Sequence, residues 1–272
     1  MLKEISASIV QGSAIGPAAY VVYAADLQPV TDGNDIVKFA DDTYLVIPAS
    51  NIDSQEAELN NVDNWALTNN LQLNRTKSME IVFRDKRQKR HIDEPTVLDA
   101  IKRVSVMKIL GVTFTNGLSV GEHISDVIQS CARMMYALRV LRSHGCQCVD
   151  LQTVFRAKIV AKLTYASSAW IGLAAAHDRQ RVNGFLHRCI RSGMCNGEIP
   201  SFDELCEASD TRLFENILNR PDHLLHPLLP AKSTASNNYR LRHRKHQYEL
   251  PPKRTRLINS NFLIRMLFTD IY

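Results

Sequence analysis

The sequence predicts an α+β fold, and three observations carry that reading. The first 117 residues alternate short β-prone runs with one amphipathic helix, the pattern of a sheet-and-helix layer. From about residue 120 to 220, apolar side chains recur every three or four positions, the period of packed helices. From residue 221 on, the prolines Pro221, Pro227, Pro230, Pro251 and Pro252 punctuate a basic stretch that reads as loop.

The elements follow in order. Ile36 to Ala40 and Thr43 to Ile47 are β-prone runs on either side of Asp41-Asp42, which predicts a hairpin with two carboxylates at its tip. Asp53-x-x-Glu56 has the form of a capping box; Leu59, Val62 and Trp65-Ala66 follow at helical spacing, and the helix ends near Asn69-Asn70. Met79 to Phe83 and Lys108 to Phe114 read as two further strands, with a basic loop, Arg84 to Arg90, after the first. Past Gly117, the residues Ile124, Val127-Ile128, Cys131, Met134-Met135, Leu138 and Leu141 mark a long amphipathic helix. A second starts at Asp150 as N-cap, with Leu151, Val154-Phe155, Ile159 and Leu163 inward. A third carries Val182, Phe185-Leu186 and Cys189-Ile190.

Charge is unevenly placed. Over 272 residues the formal charge is +5, yet residues 1–90 hold nine basic and twelve acidic side chains, whereas residues 231–272 hold nine and two. The excess in the last segment suits contact with phosphate backbones, through Arg240, Arg242, Arg244, Lys245, Lys253 and Arg254, with Tyr239 and Tyr248 placed to stack on bases. A solvated, disordered tail has the same composition, and the residues alone leave both readings open. The apolar run from Ala14 to Ala25, interrupted by Gly16 and Pro17, is too short to span a bilayer, which takes about 20 residues. No membrane partner is expected. The six cysteines lack the two-to-four residue spacing of structural zinc sites, and Cys131 and Cys189 fall on apolar helix faces, where cysteine acts as a small hydrophobe.

Adjacent side chains on a strand point to opposite faces, so Asp41 and Asp42 can serve one site only at a turn. One or two carboxylates beside substrate phosphates are what Mg²⁺ takes, because that ion keeps several of its waters. Two solvated turn aspartates would look the same.

Four blocks in order narrow the choice: Gln11-Gly12-Ser13-Ala14-Ile15-Gly16-Pro17, Phe39-Ala40-Asp41-Asp42, Leu73-Asn74-Arg75-Thr76-Lys77 and Leu110-Gly111-Val112-Thr113-Phe114. Together they resemble the second half of the palm in reverse transcriptases of non-LTR, jockey-like retrotransposons. Ala161 to Ser167, Arg179 to Val182, Tyr239 to Arg244 and Asn261 to Leu267 extend the likeness to the helices and the tail. The resemblance implies a partial right-hand polymerase palm over 1–117, a helical thumb over 118–220 and a basic tail over 221–272. It implies roles residue by residue. Gln11, Gly12 and Ser13 would line template and nucleotide. Phe39 and Ala40 would pack beneath the hairpin, near the primer end. Asp41 and Asp42 would carry the Mg²⁺ site. Lys77 would protonate the leaving pyrophosphate, and Leu110-Gly111 would form a primer-gripping strand. RNA template, DNA primer and deoxynucleotides would be the partners, and the setting a ribonucleoprotein of cytoplasm and nucleus.

The same family places a further catalytic aspartate and a fingers subdomain before the glutamine motif. Gln11 stands ten residues from the start of this sequence, so the reading is of an N-terminally truncated polymerase, inactive by itself. A non-catalytic RNA- or DNA-binding remnant is the alternative.

Overall fold

The description rests on a computed structural model covering residues 15–40, 42–85, 94–195, 199–233, 246–253 and 255–269. The chain divides into two units, Met1–Ser105 and Val106–Tyr272. Among the described residues helices predominate, with three two-stranded sheets, so the mixed α+β class holds. Among the described residues no helix is long and apolar enough to cross a membrane.

In the first unit, helix α1 (Gly16–Tyr23) takes Pro17 in its first turn, where a missing N–H costs nothing. Strands β1 (Asp35–Phe39) and β2 (Asp42–Val46) pair antiparallel, with Phe39 opposite Asp42. The predicted hairpin is therefore present; Asp41 lies outside the described residues. A 3₁₀ turn (Ala49–Ser54) leads into α2 (Gln55–Thr68). The capping box expected at Asp53 and Glu56 does not form. Asp53 lies inside that 3₁₀ turn, so the chain is already helical where a cap would have to be extended. The far end matches expectation: Asn70 takes the left-handed conformation (φ 54°), the Leu71 N–H donates to Ala66 O at 2.8 Å, and the Asn70 N–H donates to Leu67 O at 3.2 Å. That double bond is the Schellman ending. Strand β3 (Met79–Ile81) pairs parallel with β4 (Lys102–Val104), and Arg103 Nε donates to Glu80 Oε2 at 2.7 Å across the pair.

Apolar burial is slight in this unit: among the described residues only Ala24, Leu27, Ala66 and Ile101 are buried hydrophobics. A polar cluster takes over the joining. Glu58 on α2 is 0% exposed. Its carboxylate accepts the Val30 N–H (3.1 Å), the Thr31 N–H (2.8 Å) and the Asn34 Nδ2 amide (2.8 Å). Asn34 also donates to Ser54 Oγ at 2.9 Å and accepts from Asn51 Nδ2 at 3.0 Å. The loop that feeds β1 is thus bonded to both the 3₁₀ turn and α2.

In the second unit, β5 (Val106–Ile109) and β6 (Val112–Thr115) form an antiparallel hairpin. A single strand from Lys108 to Phe114 was expected. Leu110 and Gly111 both adopt positive φ (46° and 90°), which reverses the chain in two residues. Helix α3 (Gly121–Ser143) follows, burying Ile124, Val127, Cys131, Met135 and Leu138 as predicted. Helix α4 (Cys148–Val154) begins three residues earlier than expected, with Gln147 and not Asp150 at the N-cap; Asp150 stands in the first turn, where a negative charge meets the positive end of the helix. A π-helical stretch (Phe155–Val160) and the short α5 (Ala161–Leu163) continue it. Leu151, Phe155, Ile159 and Leu163 are spaced four apart and all buried. In a 3.6-residue helix that spacing drifts by about 40° per step. The wider π turn corrects the drift and keeps all four on the core.

Helices α6 (Ser167–Trp170), α7 (Ala176–Arg191) and α8 (Phe202–Asn219) complete the packing. Trp170 stacks on Phe202 with ring centroids 6.0 Å apart and meets His123 edge-on at 5.1 Å. The last segment departs from the loop-like reading. It forms α9 (Arg256–Ser260) and α10 (Phe262–Leu267), and Leu263, Met266 and Leu267 cluster with Phe214 and Ile217 of α8. Helices of one or two turns are too short to leave a readable period.

Replacing Glu58 tests the polar joint. Burial alone would push its carboxyl upward, but the Asn34 amide and the Val30 and Thr31 N–H groups together outweigh it and hold the group below its ordinary 4.5. Glu58→Ala is expected to lower stability by roughly 3 kcal/mol by stranding buried donors. With the folded value depressed, the carboxylate's contribution is present above pH 4.5 and is lost as pH falls through the lower folded value. Denaturant melts of wild type and Glu58→Ala should therefore converge in acid; a constant gap down to pH 2 would show that the charge plays no part.

Candidate functional site

The β1–β2 hairpin holds the sequence-predicted residues that the structure brings together. Opposed pairs share a face, so Asp35, Val37, Phe39, Asp42, Tyr44 and Val46 lie on one side. Ile36, Lys38, Thr43 and Leu45 lie on the other. Lys38 anchors that second side: its Nζ donates to Ala24 O at 2.6 Å and to Leu27 O at 2.7 Å, the carbonyls just after α1. The first side is open. Val37 is 53% exposed, Phe39 61% and Val46 52%. Phe39 was expected to pack beneath the hairpin; the alternation places it instead on the outward face with Val37, because Lys38 takes the inward position.

Asp42 begins β2 at the end of this open face and is itself exposed. Its Oδ2 accepts a long hydrogen bond of 3.5 Å from the Tyr44 hydroxyl, two residues along the same face. An accessible carboxylate is a hard oxygen donor of the kind a Mg²⁺ ion takes alongside water and phosphate. Ala40, beside it in the turn, has φ 50°. Among the described residues no group of three His, Cys, Asp or Glu side chains gathers to hold a metal.

Lys77 lies elsewhere in the same unit, exposed on the turn after α2. Asn74 shapes that turn: its backbone O accepts the Lys77 N–H at 3.1 Å and the Ser78 N–H at 3.1 Å, and its Oδ1 accepts the Thr76 hydroxyl at 2.8 Å. An ion pair from Arg75 to Asp63 fastens the turn to α2. Leu110 and Gly111 belong to the other unit, at the tip of the β5–β6 hairpin. There Tyr165 covers them: its hydroxyl donates to Leu110 O at 3.1 Å, and a Cβ on Gly111 would lie 3.0 Å from Tyr165 Cε1.

Gln11, Gly12, Ser13 and Asp41 lie outside the described residues, as do Arg240, Arg242, Arg244, Lys245 and Arg254. Lys253 is described, with its ammonium 4.0 Å from the centre of the Phe268 ring, a cation–π contact within the chain. Cys131, Cys189 and Cys206 are buried, and burial pushes their thiols up to about 11, 12 and 12, so they behave as the small hydrophobes expected of the first two.

Sequence reasoning missed Glu58, Asn34 and Tyr165, which position the hairpins. Glu58 left a trace, since it falls four and seven residues before Val62 and Trp65 on the inward side of α2. Tyr165 left none, because its partner lies 55 residues away.

One known protein shows a distant likeness to this chain. Over 166 aligned residues the chain is 28% identical to the RNA-directed DNA polymerase from mobile element jockey of Drosophila melanogaster. The match takes in 54% of this chain and 18% of that protein, so the chain spans about a fifth of the relative's length. No protein-family model and no solved structure matches the chain.

The β5–β6 turn gives a direct test. Leu in the left-handed region costs about 1–2 kcal/mol, which asparagine largely avoids. Leu110→Asn should raise stability by roughly 0.5–1 kcal/mol in denaturant melts, since the Tyr165 bond goes to the backbone carbonyl and is kept. A loss of stability would mean that the Leu110 side chain packs usefully in spite of its conformation.

Proposed function

We propose that this chain is part of the reverse transcriptase of a jockey-like non-LTR retrotransposon, and that the β1–β2 hairpin carries its metal-binding carboxylates. The observation that bears most weight is the placement of Asp42: first in β2, exposed, and reached through a two-residue turn from an open strand face. The likeness to the jockey polymerase gives that geometry its chemical meaning.

On this reading Asp42, with Asp41 beside it, would hold Mg²⁺, whose bound form supplies charge neutralisation for nucleotidyl transfer to a primer 3′-hydroxyl. The chain's own part is positional. Lys38 pins the hairpin to the end of α1, and the Glu58–Asn34 cluster fixes the loop that feeds it. The open face of Val37, Phe39 and Tyr44 then offers a flat, partly apolar surface beside the carboxylate, on which a sugar or base can rest. Lys77 would serve as proton donor to the departing pyrophosphate, a role suited to an ammonium on a short, hydrogen-bonded turn. The β5–β6 turn would contact the primer, residues 118–220 would act as the thumb, and RNA template and deoxynucleotides would be the remaining partners.

Two metal ions held about 3.5–4 Å apart place more positive charge than adjacent aspartates alone can match. The described residues gather no third carboxylate around Asp42, so a further ligand would come from outside them. Primer extension by the 272-residue chain alone is accordingly expected at background.

Binding tests the reading more directly. The anisotropy of a labelled RNA template–DNA primer should report salt-sensitive binding that Mg²⁺ strengthens severalfold in wild type and not in Asp42→Asn. Equal Mg²⁺ dependence in the two proteins would remove the hairpin from the metal site. Extension by the chain alone that survives Asp42→Asn would overturn the reading altogether.

A further inference from the structure

The helical unit holds a cleft of about 430 Å³ between the turn Ile171–Leu173, the first part of α7 and helix α9. Among the described residues three arginines line it, Arg179, Arg256 and Arg265, and no acidic side chain does. Their neutralisation is incomplete. Arg265 Nη1 donates to Asp210 Oδ2 at 2.7 Å, a bond to a side chain only 4% exposed. Arg179 reaches the exposed Asp203 at 3.5 Å. Arg256 has no carboxylate within ion-pair distance among the described residues. In both Arg179 and Arg265 the Nε–H is buried without an acceptor, a condition rare in folded proteins and one that a bound anion or water ordinarily explains.

Neutral donors sit beside these charges. The Thr255 oxygen accepts the Ile258 N–H at 3.2 Å, which leaves its own O–H to give. Asn259 also lines the cleft. The walls are held close: a Cβ on Gly172 would lie 2.0 Å from Ser260 O, so the backbone after α6 touches the end of α9 as only glycine permits. The cleft is thereby set before any ligand arrives.

We propose that this cleft is a binding site for a phosphate group, either the backbone of a polynucleotide or a free phosphate. Guanidinium groups suit it because their forked donors match phosphate oxygens, and the excess of arginine over carboxylate leaves a charge for the anion to meet. The assignment stands independently of the Asp42 hairpin and of polymerase activity.

Two probes applied to the full chain separate the sources. A fluorescein-labelled twelve-residue oligodeoxythymidylate is followed by anisotropy, and inorganic phosphate by calorimetric titration. Arg256→Gln is the main variant, since its side chain is exposed and holds no structural ion pair among the described residues; Arg179→Gln is the second. Arg220→Gln is the control, an exposed arginine paired with Asp222 that does not line the cleft and removes the same charge. The site predicts that affinity for at least one probe falls about tenfold in the two cleft variants and less than twofold in the control. A polynucleotide ligand shows this loss with the oligonucleotide, and a free phosphate shows it only in the calorimeter. Thermal melts matching wild type exclude unfolding as the cause. Binding of both probes unchanged by Arg256→Gln, an equal loss in Arg220→Gln, or no binding of either probe to wild type overturns the proposal.

Discussion

A buried carboxylate with no cation beside it among the described residues fixes the strand-bearing unit. Glu58 is satisfied wholly by neutral donors, two backbone N–H groups and one amide. An isolated buried charge is very costly, and several hydrogen bonds to the charged form offset that cost only if all are present together. The arrangement is therefore nearly all-or-none. Loop 30–34 is bonded at this one place to α2, and β1 starts directly from that loop. What the hairpin presents to its surroundings follows from a contact made outside the hairpin itself.

This dependence reflects how little apolar surface the unit buries. Four small or medium hydrophobics, among the described residues, cannot hold a sheet against a helix by area alone. The helical unit is the contrast. Its core runs through Ile124, Cys131, Leu151, Phe155, Trp170, Phe185 and Phe202, and tolerates local irregularity because many contacts share the load. The π stretch at Phe155–Val160 is an instance: backbone regularity gives way so that four leucine, phenylalanine and isoleucine side chains stay on the core. Where burial dominates, the backbone adapts; where hydrogen bonds dominate, the side chains must be in place.

The same contrast explains what was legible in the sequence. The long helices were read from periodicity, because their apolar faces are continuous and their partners interchangeable. The β1–β2 hairpin was read as well, since alternation and turn residues are local signals. The β5–β6 turn was not, because Leu-Gly lacks the Asn-Gly or Asp-Gly signature and its conformation is supported by Tyr165 from far along the chain. The caps at Asp53 and Asp150 were misplaced for a related reason. An aspartate near a helix start serves the cap and the first turn equally well in sequence, and only the preceding backbone decides between them. For the candidate site, Asp42 and its strand were legible, while the residues that aim it were hidden in long-range polar contacts.

Both hairpin turns flagged by the resemblance hold an apolar, non-glycine residue in the left-handed region, Ala40 at φ 50° and Leu110 at φ 46°. Asparagine or glycine would adopt these conformations at less cost, and the chain uses asparagine where the position only ends a helix, at Asn70. Strain of this kind persists only where surrounding bonds impose it, and here they are identifiable: Lys38 ties the first hairpin to two carbonyls, and Tyr165 ties the second through the Leu110 carbonyl. In both cases the tie joins the hairpin to a group outside its own strands. A turn held against its own preference loses freedom of position, and on the proposed reading, in which both turns meet a nucleic-acid strand, that loss is a gain in precision. The two turns thus share a physical design, although they belong to different units and share no residue pattern.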